Sequence, residues 1–239
     1  IDYLLTQFSY AAWKGGGAQI AWRKKAAAEK LNTVFCQVKH LCPHKVIPFA
    51  SFIYFSNKTN FYLNDHANQP QDVVDHLSSL PSEVVCMKPG DVLSKEGTAS
   101  MSHEAVQYWR RVFNGIKTAE LNEHNSVSLS ELFNNFAVYS KRINKKNSNL
   151  TMKILRFISP VNIFMPVVIF MEDINKNVKL DYVKNFIEES DETPQLMMRS
   201  GSLNFLLLNT FGFDTLTVNG CFEENKKGDF LLATRSLAV

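Results

Sequence analysis

Little in this chain equips it to cross-link itself or to enter a membrane. Its four cysteines, Cys36, Cys42, Cys86 and Cys221, are scattered and show no disulfide-framework spacing. That usage points to a reducing compartment, the cytoplasm. The longest apolar run, Val161 to Met171, is broken by Asn162 and Pro166. It is far shorter than the ~20 residues a membrane helix needs. The sequence does not begin with Met and shows no signal-peptide pattern. It has no Gly-x-Ser-x-Gly elbow, no P-loop and no dinucleotide fingerprint, which sets those enzyme classes aside. Internal repeats and low-complexity tracts are missing too.

Charge of one sign is also scarce. The net charge is +3, and basic residues are spread out. The one dense run, Lys141-Arg142-Ile143-Asn144-Lys145-Lys146, reads as a helix end, where the dipole favours cations. A nucleic-acid patch is the sharper alternative there, and the balance of the chain favours no nucleic-acid partner. What remains is an ordinary globular composition, 45% hydrophobic and 21% charged over 239 residues, enough for one large or two small domains.

The organising stretch is the first one. Ile1 to Tyr10 reads as a buried strand, followed by a loop at Gly15-Gly16-Gly17 and a long helix. Ala27, Leu31, Val34, Phe35, Val38 and Leu41 recur at helical spacing, and Pro43 ends the run. Lys45 to Phe52 is a second strand. Together they make a βαβ unit with parallel pairing and a right-handed crossover. A domain seldom opens on a buried parallel strand, so the chain is expected to be the later part of a larger protein. The exposed edge of the first strand is a liability, so the chain is expected to dimerise or to be covered by another polypeptide.

Further along, Phe61 to His66 reads as an aromatic strand with a polar tip. Pro70 opens a helix, Val84 to Met87 is a short strand, and Lys88-Pro89-Gly90-Asp91 is a type II turn. Lys95 to Ser100 is a linker, and Ser102 is a candidate cap for the next helix. Ser128 and Glu131 form a capping box. Beyond Asn149 the pattern reads as β-rich. Strands are expected at 150–158, 161–171, around Val178 to Tyr182, at 196–198, at 215–218 and at 230–233. Ser200 or Ser202 caps a short helix closed near Gly212, and Asn219-Gly220 signals a hairpin. The expected fold is α/β followed by a smaller α+β domain, with domains at 1–94 and 150–239 and a helical connector at 95–149.

These motifs resemble a known family. The order Ile1-Asp2-Tyr3-Leu4-Leu5-Thr6-Gln7-Phe8-Ser9, helix, His44-Lys45-Val46-Ile47-Pro48-Phe49-Ala50-Ser51-Phe52 is similar to the later half of the metallo-β-lactamase αββα fold. The nearest branch is the CMP-N-acetylneuraminate hydroxylase-like one, and Pro89-Gly90-Asp91-Val92-Leu93 matches its later turn. Leu203 to Leu208, Gly212 and Leu216-Thr217-Val218-Asn219-Gly220 resemble a sterol-carrier-type domain. The resemblance implies metal-dependent hydrolase or hydroxylase-like chemistry with zinc or iron. The family's His-x-His-x-Asp-His motif is absent from this sequence, however. Phe49, Ala50 and Ser51 stand where its last metal histidine usually follows the proline. An iron–sulfur module is also lacking. The chain alone is therefore expected to be inactive and to carry no metal ligands.

Five groups of residues are candidate chemistry, each with a plainer alternative. Gly15, Gly16 and Gly17 at a helix start, with Lys14 beside them, suit a phosphate, as in a nucleotide sugar or phospholipid headgroup; the alternative is a mobile loop. Trp13 is a substrate contact or a core residue. Asp65 can orient His66 for acid–base work, or the two belong to a turn. Cys36, His40, Cys42 and His44 are metal-binding types at a spacing that matches no common zinc site; the alternative is a buried cysteine and surface histidines at a helix end, where the dipole favours His. The phenylalanines of the second half line a lipid tunnel or simply fill a core. Two functions follow: a metal-dependent enzyme completed from upstream, or a binding module for an apolar or phosphorylated ligand or a protein partner.

Overall fold

The computed structural model describes residues 1–93 and 99–238, and the side chains of 99–101 lie outside that description. The expected linker falls mostly among the undescribed residues. Over the described residues the chain is mixed α/β with two sheets, and it forms two compact units. One comprises residues 1–56 and 61–121, the other residues 57–60 and those from 122 onward.

The first unit is built on β1 (Tyr3–Gln7), α1 (Ile20–Leu41) and β2 (Lys45–Phe49). β1 and β2 are parallel, with Leu4 opposite Val46 and Leu5 opposite Ile47. Val34 and Val38 of α1 pack with Phe8 and Val46 in a core shared with Val73 and Leu77. Those last two come from α2 (Pro70–Leu77), where Pro70 opens the helix and Gln69 and Asp72 form a reciprocal capping box. β3 (Glu83–Val84) adds a short parallel strand beside β2, giving the order β1-β2-β3.

Five local expectations for this unit are corrected. The first strand, read as buried from Ile1 to Tyr10, runs only from Tyr3 to Gln7 with Tyr3 and Leu5 exposed, and the second ends at Phe49, short of Phe52. Phe61 to His66 is a 3-10 helix rather than a strand. Asn64 explains it, because its side chain bonds both backbone groups of Phe55 and the carbonyl of Phe61, holding a tight local turn. The strand expected to reach Met87 stops at Val84, because the Cys86 N–H donates to Ser102 Oγ instead of to a neighbouring strand. Ser102 in turn lies inside α3 (Ala99–Gly115), not at its cap. The type II turn is present, with Gly90 at φ +92° and Asp91 N–H bonded to Lys88 O.

The second unit starts its helices with α4 (Leu129–Lys146), capped by Ser128 as read from the sequence. α5 (Asn149–Ile158) follows where a strand was expected. Its apolar residues recur every three or four positions, a helical period that a bare apolar count hides. β4 (Val167–Met171) begins only after Pro166. β5 (Lys176–Asp181), β6 (Phe186–Glu189) and β7 (Leu196–Met198) then build the sheet. α6 (Ser200–Leu208) has Arg199, not a serine, at its N-cap. α7 (Gly212–Asn219) replaces the expected strand and hairpin, because Gly220 at φ +70° ends a helix instead. β8 (Glu223–Glu224) completes the order β6-β5-β4-β7-β8, with β4 and β7 parallel and the other pairs antiparallel. α8 (Phe230–Leu237), capped by Asp229, stands where a last strand was expected. The stretch expected as a connector is divided: α3 belongs to the first unit and α4 to the second.

Candidate ligand site

Open α/β sheets place ligands outside the carboxyl ends of their parallel strands. Here that position is the loop between β1 and α1. The loop is held by buried polar side chains from three sides. Ser51 Oγ accepts from the N–H groups of Phe8 and Ser9, at 3.1 and 3.0 Å. Asn68 donates to Phe8 O and Ala27 O, and its own N–H donates to Ser9 Oγ. The Tyr10 hydroxyl donates to Leu63 O at 2.6 Å. Burial pushes the Tyr10 phenol up to about 12, so it stays neutral at ordinary pH.

Beside this loop lies a cavity of about 360 Å³. Ser9, Tyr10 and Lys14 line it from the loop, and Glu29, Lys30 and Thr33 line it from α1. Its two cationic side chains thus come from different elements. Glu29 is drawn toward Lys25 at 3.7 Å on the exposed surface of α1.

The glycine triplet next to the cavity makes several hydrogen bonds within the chain. Gly15 is left-handed at φ +81°, and the Gly16 N–H donates to Gln19 Oε1 at 2.8 Å. The carbonyls of Gly16 and Gly17 both accept from Arg23, at 2.8 and 2.9 Å. Arg23 is 1% exposed, and its guanidinium also lies over the Tyr62 ring, 5.0 Å from the centroid. The triplet wraps a buried arginine. Trp13 is buried and packs edge-on against Trp22.

A second cavity, of about 370 Å³, is lined by Asn64, Asp65, Gln69, Asn114 and Lys117 among others. His66 is not among its lining residues, so Asp65 and His66 are neighbours in sequence without sharing that cavity. Cys36 and Cys42 are free and exposed, and Cys42 is the left-handed residue that ends α1. Among the described residues, no group of three or more His, Cys, Asp or Glu side chains is placed to hold a metal ion.

The second unit holds a polar cluster of its own. Glu123 accepts from Lys58 at 2.5 Å and from Arg199 at 2.8 Å, and these cations hold its carboxyl below the usual range. Burial pushes Asp173 up, but its bonds from the Ser200 N–H and hydroxyl outweigh that and leave it lowered. Burial and the nearby Glu223 push Glu172 up. These contacts tie the chain around Glu123 to the start of α6. Asp173 bonds Ser200, whereas His124 lies 3.5 Å from Ser202, so no nucleophile, base and orienting acid fall in line. Of the second half's phenylalanines, Phe136 and Phe213 are core, while Phe157 and Phe211 are exposed.

Of the residues singled out in the sequence, Lys14 lines this cavity, and Tyr10, Lys30 and Thr33 beside it were not singled out. The available signal was positional. Ser9 and Tyr10 lie two and three residues past the carboxyl end of the first strand, and Lys30 lies on the same helix that the loop feeds.

No family model, curated protein or solved structure matches this chain. No described helix is long and apolar enough to cross a membrane.

Proposed function

We infer that the first unit is a binding module for a small anionic ligand of the phosphate-bearing class, such as a nucleotide sugar. The observation that carries this is the cavity at the carboxyl end of β1, where Lys14 and Lys30 converge from two elements. Thr33 and Gln7 add neutral hydrogen-bonding groups to its lining. Titration calorimetry with UDP-N-acetylglucosamine and with inorganic phosphate tests the reading. Saturable binding that weakens about tenfold when Lys14 or Lys30 becomes Ala supports it. Heat that is absent, or unchanged in both variants, overturns it.

The finer architecture we propose is the later half of a metallo-β-lactamase-like fold followed by a sterol-carrier-like domain. The sequence of strand, glycine loop, helix and Pro-Phe-Ala strand supports the first part. Zinc or iron does not fit the donors present. The residues after Pro48 offer only the Ser51 hydroxyl, which already accepts from two buried N–H groups. Binding rather than self-sufficient catalysis is therefore the function we assign.

β1 is an edge strand of its sheet, and its Tyr3 and Leu5 are exposed. We infer that a second copy of the chain covers this edge in solution. Light scattering that returns the monomer mass at every concentration contradicts this. The exposed free thiols of Cys36 and Cys42 suit a reducing compartment, and we place the protein in the cytoplasm.

A further inference from the structure

Helix α5 turns its apolar side the wrong way for a core helix. It is held to the second unit by Met152, which is buried, and by Arg156, which pairs with Asp181. Leu150, Ile154, Phe157 and Ile158 recur at helical spacing away from Met152, and they form a stripe along the outer face. Phe157 is 90% exposed, Leu150 68% and Ile158 64%. Val161, just beyond the helix, is exposed as well. A contiguous apolar stripe of this kind marks a contact surface.

Charge decides what the surface fits. From Leu132 to Met171 the sequence has no Asp or Glu. Lys141, Lys145, Lys146 and Lys153 fall in this stretch, and all four are exposed. Lys145 and Lys146 end α4 two residues before α5 begins. Lys184 follows Val183, whose carbonyl accepts from Asn149 at the first residue of α5. Lys153 sits within α5, one turn from both Leu150 and Phe157. The apolar stripe is thus flanked by cations on its own helix and at its N-terminal end.

We propose that this face of the second unit docks on an anionic lipid surface. α5 lies in the plane of the interface, with Phe157, Leu150 and Ile158 entering the acyl boundary. Lys145, Lys146, Lys153 and Lys184 meet the headgroups. A single short helix with protruding apolar side chains offers no groove for a partner peptide. The combination of an apolar stripe and flanking cations is what an amphipathic interfacial helix requires.

The test is co-sedimentation of the full chain with vesicles of phosphatidylcholine alone and of phosphatidylcholine mixed with phosphatidylserine. Binding is expected to the mixed vesicles only, and to fall as salt is raised. Phe157→Ser with Ile158→Asn should weaken it about tenfold or more. Lys145→Gln and Lys146→Gln should each weaken it about fivefold. All four side chains are exposed, so each variant should keep the parent's thermal midpoint, and that check separates lost docking from lost folding. Failure to sediment with mixed vesicles overturns the proposal, as does equal sedimentation of folded variants. Binding of an acidic protein or a nucleic acid in place of vesicles overturns it too.

Discussion

Arg156 donates through both terminal nitrogens to the carboxylate of Asp181, each bond 2.8 Å long. The Asp181 side chain is fully buried and also accepts from the N–H groups of Val183 and Lys184. This pair fixes α5 to the end of β5. Removing one partner leaves a buried charge without its counter-ion, which costs about 3–5 kcal/mol. Asp181→Asn should therefore lower the denaturation midpoint markedly, as urea unfolding would show. Burial pushes the Asp181 carboxyl up, but the Arg156 bonds outweigh it and the folded value lies below the ordinary one. The stabilisation is accordingly full above the ordinary carboxylate range. It is lost as pH falls through that range toward the lowered folded value. The variant should lose part of this acid dependence, and an acid limb as steep as the parent's would contradict the assignment.

Gly15 is set by the close approach of its neighbours as well as by its left-handed backbone. A Cβ there would lie 2.1 Å from Gln19 Oε1 and 2.8 Å from the Trp22 ring. Gln19, whose Cβ would also lie 2.8 Å away, must shift, and it then releases the Gly16 N–H that it accepts from. Gly15→Ala should cost about 1–2 kcal/mol from backbone conformation and this lost contact. It should also weaken ligand binding at the neighbouring cavity, through the displaced loop that carries Lys14. An unchanged midpoint together with unchanged affinity would show that the loop does not depend on this conformation.

The βαβ core, the helix at Pro70, the Ser128 cap and the strands around Val178 and Leu196 were legible because hydrophobic period and capping chemistry agree there. α5, α7 and α8 were not. Their apolar runs are short enough to suit either state, and Asn219-Gly220 serves a helix C-cap as well as it serves a hairpin. The position of Asp229 before Phe230-Leu231-Leu232-Ala233 was the missed signal for α8. At the candidate site, Lys14 could be read from its place before a glycine loop. Arg23 could not, because an arginine opening a run of cations (Arg23-Lys24-Lys25) on a helix is normally solvated. Only the fold shows that two glycine carbonyls and an aromatic face enclose it.

Asn68 is a single side chain on which the loop after β1 depends. Its amide nitrogen joins Phe8 O to Ala27 O, at 2.8 and 2.9 Å, entirely within the buried interior. Asn68→Ala strands both carbonyls without a polar partner from this residue. The loss should be about 2–3 kcal/mol, in the range for leaving buried acceptors unsatisfied. Asn68→Asp tests the same point differently, since a carboxylate cannot donate to either carbonyl. If either variant unfolds at the parent's urea midpoint, this joint does not organise the loop.

Tyr10 links the cavity wall to stability at high pH. Its hydroxyl donates to Leu63 O, and burial pushes its ionisation up to about 12. The nearby Arg23 acts in the opposite direction but does not prevail. Because the folded value lies above the unfolded value of about 10, the neutral phenol favours the fold. Its contribution is complete below pH ~10 and is lost as pH rises toward about 12. Tyr10→Phe removes both the hydrogen bond and the ionisation. The variant should be about 1 kcal/mol less stable at neutral pH, and less sensitive than the parent to alkali. Ultraviolet titration offers a direct check, since the parent should show one phenolate more than the variant only near the alkaline end. If that phenolate appears at the ordinary tyrosine value, Tyr10 is neither buried nor bonded as described, and the cavity wall must be drawn differently.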